Sequence, residues 1–131
     1  MGKMVRFAVN GTLMRGLELN PNLLAVGARF LFETTSAPVY RLWSINDAYP
    51  AMQRDVHAGA AITIEVWEIS ATALIDILEN EPPGLCLGYV TLADNSKVLG
   101  ILGELWVCRG QTEITGFGGW REYLSQKQIQ S

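Results

Sequence analysis

Ala60 to Ile69 is the stretch that most narrows what this chain can become. Ile62, Ile64 and Val66 fall on one side of an extended backbone, and Thr63, Glu65 and Trp67 on the other. That period-two pattern reads as a strand, and other strand signals flank it on both sides. Val5 to Val9 is short and apolar. Ala28 to Glu33 places Phe30 and Phe32 on one face, and Val39 to Ile45 is aromatic and β-branched. Leu87 to Leu92 and Lys97 to Val107 read as a hairpin around the polar turn Ala93-Asp94-Asn95-Ser96. In its second arm, Val98, Leu102, Glu104 and Trp106 are expected on one face.

Helix signals are fewer. Asn20 reads as a cap, with Pro21 at the first helical position and Gly27 as the stop. Ser70 caps a second segment, Ala71 to about Glu79, with Leu74, Ile75 and Leu78 at helical spacing, ended by Glu81-Pro82-Pro83-Gly84. Trp120 to Gln126 carries Trp120, Tyr123 and Leu124 as an apolar stripe, and Lys127 to Ser131 reads as a frayed tail. Asn46 to Gly59 is expected to be a surface loop with one short helical turn, holding His57 as a solvated side chain. Strands and helices do not alternate strictly. The fold class is therefore α+β, with a largely antiparallel or mixed sheet curling into a small barrel and a few short helices.

At 131 residues the chain fits a single domain, residues 1–131. Hydrophobic residues make up 49% and charged residues 18%, enough for a packed core. The net charge is −3 and the basic residues are scattered, which argues against nucleic acid or a membrane surface as partner. No apolar run spans a bilayer and Arg6 interrupts any signal peptide, so the expected location is cytoplasmic. Cys86 and Cys108 are expected as reduced, buried thiols. One His and two distant Cys make no usual zinc site, and no glycine-rich nucleotide loop is present. No cofactor is expected.

The chemistry has two sources. The strand ending at Val9 delivers the chain into Asn10-Gly11-Thr12-Leu13, where consecutive backbone N–H groups can cradle a carboxylate, carbamate or phosphate oxygen. Asn-Gly is equally a plain turn. The second source is carboxylates in apolar surroundings. Glu65 and Glu104 lie either on a solvent face, on a salt bridge to Arg41 or Arg29, or inside; if inside, desolvation raises the pKa and makes an acid or base. Glu79 and Glu81 sit where a helix ends, and read alternatively as solvated charges. Tyr40 and Arg41 point to opposite faces of a strand. Arg41 can clamp a carboxylate, or cover an edge while Tyr40 sits in the core. Trp43, Trp67, Trp106 and Trp120 are expected in the core or a pocket wall.

Taken together, Phe7 to Gly16, Ala37 to Trp43, Ile64 to Trp67, Pro82 to Gly88 and above all Ile114 to Leu124 resemble the C-terminal domain of allophanate hydrolases. The resemblance runs from about Val5 to Leu124 and is to a domain of γ-glutamylcyclotransferase-like fold. It implies that Asn10, Gly11, Thr12 and Leu13 bind substrate oxygens. Ile75-Asp76-Ile77-Leu78-Glu79 loosely matches a cyclotransferase pattern and nominates Glu79 as acid/base, whereas Pro82-Pro83-Gly84-Leu85 follows the allophanate-hydrolase version. The family's first loop commonly carries a His, absent from Gly11-Thr12-Leu13.

The implied function is that of a stand-alone relative, starting at its own Met1 without an amidase segment. It binds a small carboxylate or carbamate and aids breakdown of an N-carboxylated amine in urea or amide nitrogen metabolism. Glu104 or Glu65 would move the proton, and Tyr40 and Arg41 would contribute to binding. The alternatives are a non-catalytic accessory subunit of a separate amidase and a γ-glutamyl cyclotransferase using Glu79. A homo-oligomer is compatible with either.

Overall fold

The structure is a computed structural model that describes residues 2–130. The elements run β1 (Met4–Val9), α1 (Asn20–Ala25), β2 (Arg29–Thr35), β3 (Tyr40–Ile45), β4 (Tyr49–Arg54), β5 (Thr63–Ser70) and α2 (Ala71–Glu79). Then follow β6 (Leu85–Thr91), β7 (Lys97–Gly103), α3 (Leu105–Cys108), β8 (Thr112–Glu113), a 3-10 turn at Thr115–Phe117 and α4 (Trp120–Gln130). This is the expected α+β class.

Five strands form one mixed sheet in the order β2-β5-β1-β7-β6, with β1 parallel to β7 and antiparallel to β5. β1 is central, and its Phe7, Ala8 and Val9 are buried whichever way they point, as expected for a strand covered on both faces. The same holds for β5, where Ile64, Glu65, Val66 and Trp67 are all buried. Three further strands form a second sheet, β4-β3-β8.

Those two sheets do not close into the expected barrel. At the seam, the Tyr40 hydroxyl accepts from the Thr91 N–H of β6 and from Arg54 Nη2, each at 2.8 Å. Beside it, Ala37 N–H donates to Thr91 O at 2.9 Å and Ser36 bridges Leu92. On the other side β4 packs directly on β7: a Cβ at Gly103 would lie 2.7 Å from Ala51 Cβ, so only glycine permits this approach.

Three local expectations change. Asn46 to Gly59 is not all loop, because Tyr49–Arg54 is β4, paired in register with β3 from Tyr40↔Arg54 to Ile45↔Tyr49. Pro50 obscured it, yet β4 is an edge strand, where a missing N–H is tolerated. The second hairpin arm stops at Gly103, and Leu105–Cys108 turns into α3. Glu104 is therefore the residue preceding a helix, and Trp106, 56% exposed, is not core but lines a surface groove with Tyr49, Pro83 and Val107. The tail is helical to Gln130, pinned by an ion pair between Lys127 and Asp47; Ser131 lies outside the described residues.

Candidate functional site

Val9 ends β1 at the edge of the core, and the chain turns through Gly11-Thr12-Leu13-Met14, closed by Met14 N–H donating to Gly11 O at 3.0 Å. Two buried asparagines hold this turn. Asn10 Nδ2 donates to Ile101 O of β7 at 3.2 Å, and Asn20 Nδ2 donates to Leu13 O at 2.9 Å. Asn20 is thus the first residue of α1, reaching back to the turn, and not the expected cap. Gly11 is required by space: a Cβ there would sit 2.6 Å from Pro50 Cδ and Cγ on β4. Among the described residues, no protein acceptor takes the N–H groups of Gly11, Thr12 or Leu13.

A hollow lies beside this turn. A cavity of about 30 Å³ is lined by the turn, Tyr49, Pro50, Glu81, Leu85 and Ile101. Two neighbouring grooves of about 200 and 380 Å³ share lining residues with it. Glu81 lines all three. The inner end admits one small polar group, comparable to a water or two, so anything larger must extend into a groove.

Glu81 follows the last turn of α2, its N–H donating to Leu78 O at 3.1 Å. Pro82 and Pro83 then turn the chain into β6 beneath the cavity. No cation or hydrogen-bond donor reaches the Glu81 carboxylate among the described residues. Partial burial raises its pKa above the ordinary carboxylate value. Burial also raises the Tyr49 phenol, with the Glu81 charge adding to the effect, so Tyr49 faces the cavity as a protonated donor.

Glu65 is fully buried and behaves in the opposite way. It accepts from Arg15 N at 2.9 Å, Arg15 Nε at 3.1 Å, Trp67 Nε1 at 3.2 Å and Arg121 Nη2 at 3.3 Å. Desolvation pushes its pKa up, but the Arg15 backbone and side chain and Trp67 outweigh that, and the net shift is downward. The expectation that an interior Glu65 would titrate near neutrality fails for this reason, and its partners are Arg15 and Arg121 rather than Arg29 or Arg41. Glu65 is a fixed anion that fastens the second half of the loop, Met14 to Gly16, to the sheet.

The other nominated residues lie elsewhere. Glu104 is exposed and outside the cavity, contrary to an interior strand position, because β7 ends at Gly103. Glu79 is exposed at the end of α2 and does not line the cavity, which removes the geometric support for cyclotransfer through it. Tyr40 and Arg41 do take opposite faces, but neither reaches the turn. Tyr40 is buried at the seam between the sheets. Arg41 does clamp a carboxylate, that of the chain's own Glu113, at 2.6 and 2.9 Å, with Asp55 at 3.4 Å. The Arg41 and Thr115 hydrogen bonds pull Glu113 down to about 2. Of the tryptophans, Trp67 and Trp120 are core. Cys108 is buried as expected, but Cys86 is exposed on the edge strand β6.

Missing from the sequence reading were Tyr49 and Pro50, hidden in the supposed loop, and the choice of Glu81 over Glu79. One signal was available for Glu81. A carboxylate directly before two prolines is held where the chain turns off the helix, so it cannot swing away with a solvated helix end.

Residues 5–125 match the family described as the allophanate hydrolase C-terminal domain. The chain belongs to this family. A solved structure of a uropathogenic E. coli-specific protein is 46% identical, with a TM-score of 0.92 over 94% of this chain and 97% of that one. Kluyveromyces lactis allophanate hydrolase is 25% identical with a TM-score of 0.89, over 95% of this chain but 22% of that protein. The urea amidolyase of Saccharomyces cerevisiae is 25% identical over 92% of this chain, which spans only 7% of that protein's length. A mouse aig2-like protein, 20% identical with a TM-score of 0.58 over 79% of this chain and 78% of that one, shares the fold. No described helix is long and apolar enough to cross a membrane.

Proposed function

We propose that the cavity beside Gly11-Thr12-Leu13 binds a small carboxylate or carbamate and that Glu81 is its acid–base group. The observation that carries this reading is a half-buried, unpaired carboxylate of raised pKa facing a turn whose N–H groups have no protein partner. The turn holds the oxygens of the ligand, and the Tyr49 hydroxyl and Glu81, whose burial favours its protonated form, donate to it. Family membership supports an N-carboxylated amine as the substrate, in urea or amide nitrogen metabolism. Glu81 then delivers a proton to the amine nitrogen. The carbon–nitrogen bond breaks with its electron pair staying on nitrogen, carbon dioxide leaves, and the Glu81 carboxylate regains its proton from water. Glu81 takes the role that the sequence offered to Glu65 or Glu104.

Adding malonate or acetate to the labelled protein should shift the amide signals of Gly11, Thr12 and Leu13 in proton–nitrogen correlation spectra. The Arg15 amide, already bound to Glu65, should stay in place. Glu81→Gln should weaken binding roughly tenfold. Unmoved turn amides would refute the site. The second reading, a non-catalytic module docked on a separate amidase, draws on the longer relatives, of which this domain forms 7% and 22%. Co-purification with an amidase, together with no turnover of any carbamate, would favour it.

A further inference from the structure

Asn10 follows directly on β1, is only 7% exposed and lines the inner cavity. Both N–H bonds of its side-chain amide are used inside the protein: Nδ2 donates to Ile101 O at 3.2 Å and to Met52 Sδ at 3.9 Å. A carbonyl would repel the Ile101 carbonyl, so the amide can stand only this way round. What remains is Oδ1. It accepts no hydrogen bond among the described residues and is not sealed from solvent, so it is open to the cavity. An acceptor this deep in the protein calls for a donor.

The cavity wall therefore makes two different demands. The N–H groups of Gly11, Thr12 and Leu13 call for an oxygen, and Asn10 Oδ1 calls for an N–H. The volume, about 30 Å³, takes about two polar atoms side by side. A carboxylate puts an oxygen at both places and sets one of them against Oδ1. A carbonyl that carries an N–H satisfies both.

We infer that Asn10 reads the nitrogen of the ligand: the inner cavity takes the O=C–N–H edge of a carbamate, ureido group or primary amide in preference to a plain carboxylate, with the oxygen on the turn and the N–H on Asn10 Oδ1. This rests on the proposed reading of the turn as an oxygen-binding site and decides between the ligand classes that reading leaves open. In the proposed cleavage Asn10 also touches the reacting atom. As Glu81 gives its proton to the nitrogen, positive charge grows on the N–H bonds that Oδ1 accepts. The carbon–nitrogen bond then breaks with its electron pair on nitrogen, and the amine and carbon dioxide leave.

Oxamate and pyruvate separate the outcomes, because they carry the same charge and differ by an amino group against a methyl. Each is titrated into the isotope-labelled full chain. Oxamate should bind about tenfold or more tighter. Both should move the amides of Gly11, Thr12 and Leu13 at saturation, and only oxamate should move the Asn10 Cγ resonance, the carbon beside the accepting oxygen. Asn10→Leu keeps the volume and removes the acceptor, so it should bring the two ligands to equal affinity by weakening oxamate alone. If that variant fails to fold, the Asn10 Cγ signal of the parent protein decides. Pyruvate as tight as oxamate, with the turn amides still moving, would overturn this inference and keep the oxygen site. A preference for oxamate with Asn10 Cγ unmoved would overturn it as well. Turn amides unmoved by either ligand would overturn both readings.

Discussion

Glu65 and Glu81 are the same side chain in two interior settings on either side of one loop, and they do opposite work. Glu65 is the more deeply buried, yet it is the more firmly ionised, because four donor contacts from Arg15, Arg121 and Trp67 converge on it. Glu81 is less buried, yet it is the one held toward its neutral form, because nothing compensates its desolvation. Burial alone does not make a carboxylate an acid–base group; burial without partners does. The loop from Asn10 to Gly16 is divided accordingly. Its second half gives its N–H to Glu65, and its first half keeps its N–H groups for the cavity.

The largest effect should come from breaking the satisfied partner. Glu65→Ala leaves Trp67 Nε1 and the loop N–H of Arg15 unpaired beneath two arginines, and should lower unfolding free energy by about 3 kcal/mol in urea titrations. A loss within experimental error would mean that the loop does not depend on that anion. Next, Gly11→Ala forces a methyl into the Pro50 ring, 2.6 Å from where its Cβ must stand. The same titration should show a loss of about 1–3 kcal/mol. A glycine variant therefore tests packing as much as binding, and is a poor probe of the ligand site. By contrast, Glu81→Gln should leave stability within about 0.5 kcal/mol at neutral pH while weakening binding roughly tenfold, since no protein partner is lost.

The two residues should also pull apart in pH dependence. Glu65 has a lowered folded pKa, so its contribution is present above the unfolded carboxylate value of about 4.3 and is lost as pH falls through the folded value. Glu81 has a raised folded pKa, so its contribution is present below about 4.3 and is lost as pH rises through the folded value. Comparing pH–stability curves of Glu65→Gln and Glu81→Gln with the parent should flatten the acid limb in the first and remove a loss of stability toward neutrality in the second. Identical changes in both would contradict the division. Acid binding should likewise weaken as Glu81 loses its proton.

The sequence made much of this legible. The strands at Val5–Val9 and Ala60–Ile69 are declared by their periodicity, and the turn that follows the first by Asn10-Gly11. Family membership is carried by motifs such as Phe117-Gly118-Gly119-Trp120. What stayed hidden depends on contacts across long sequence separations. Alternation around Glu65 says that one face differs from the other, not that Arg15, fifty residues away in sequence, will meet it. Gly103 permits either strand or turn, so the pattern alone carries the hairpin arm on to Val107. Tyr49-Pro50 reads as a break unless the strand is known to lie on an edge. That the two sheets stay separate, with Tyr40 meeting β6 through its hydroxyl, is declared by no local pattern.

The most direct test is a titration of the two side-chain carboxyls, followed residue by residue by carbon-detected NMR on the intact protein. Glu81 should titrate above about 4.3 and Glu65 below it. The reverse order, or a Glu81 that titrates as an ordinary solvated carboxylate, would leave the cavity without its acid and the proposed chemistry without a proton.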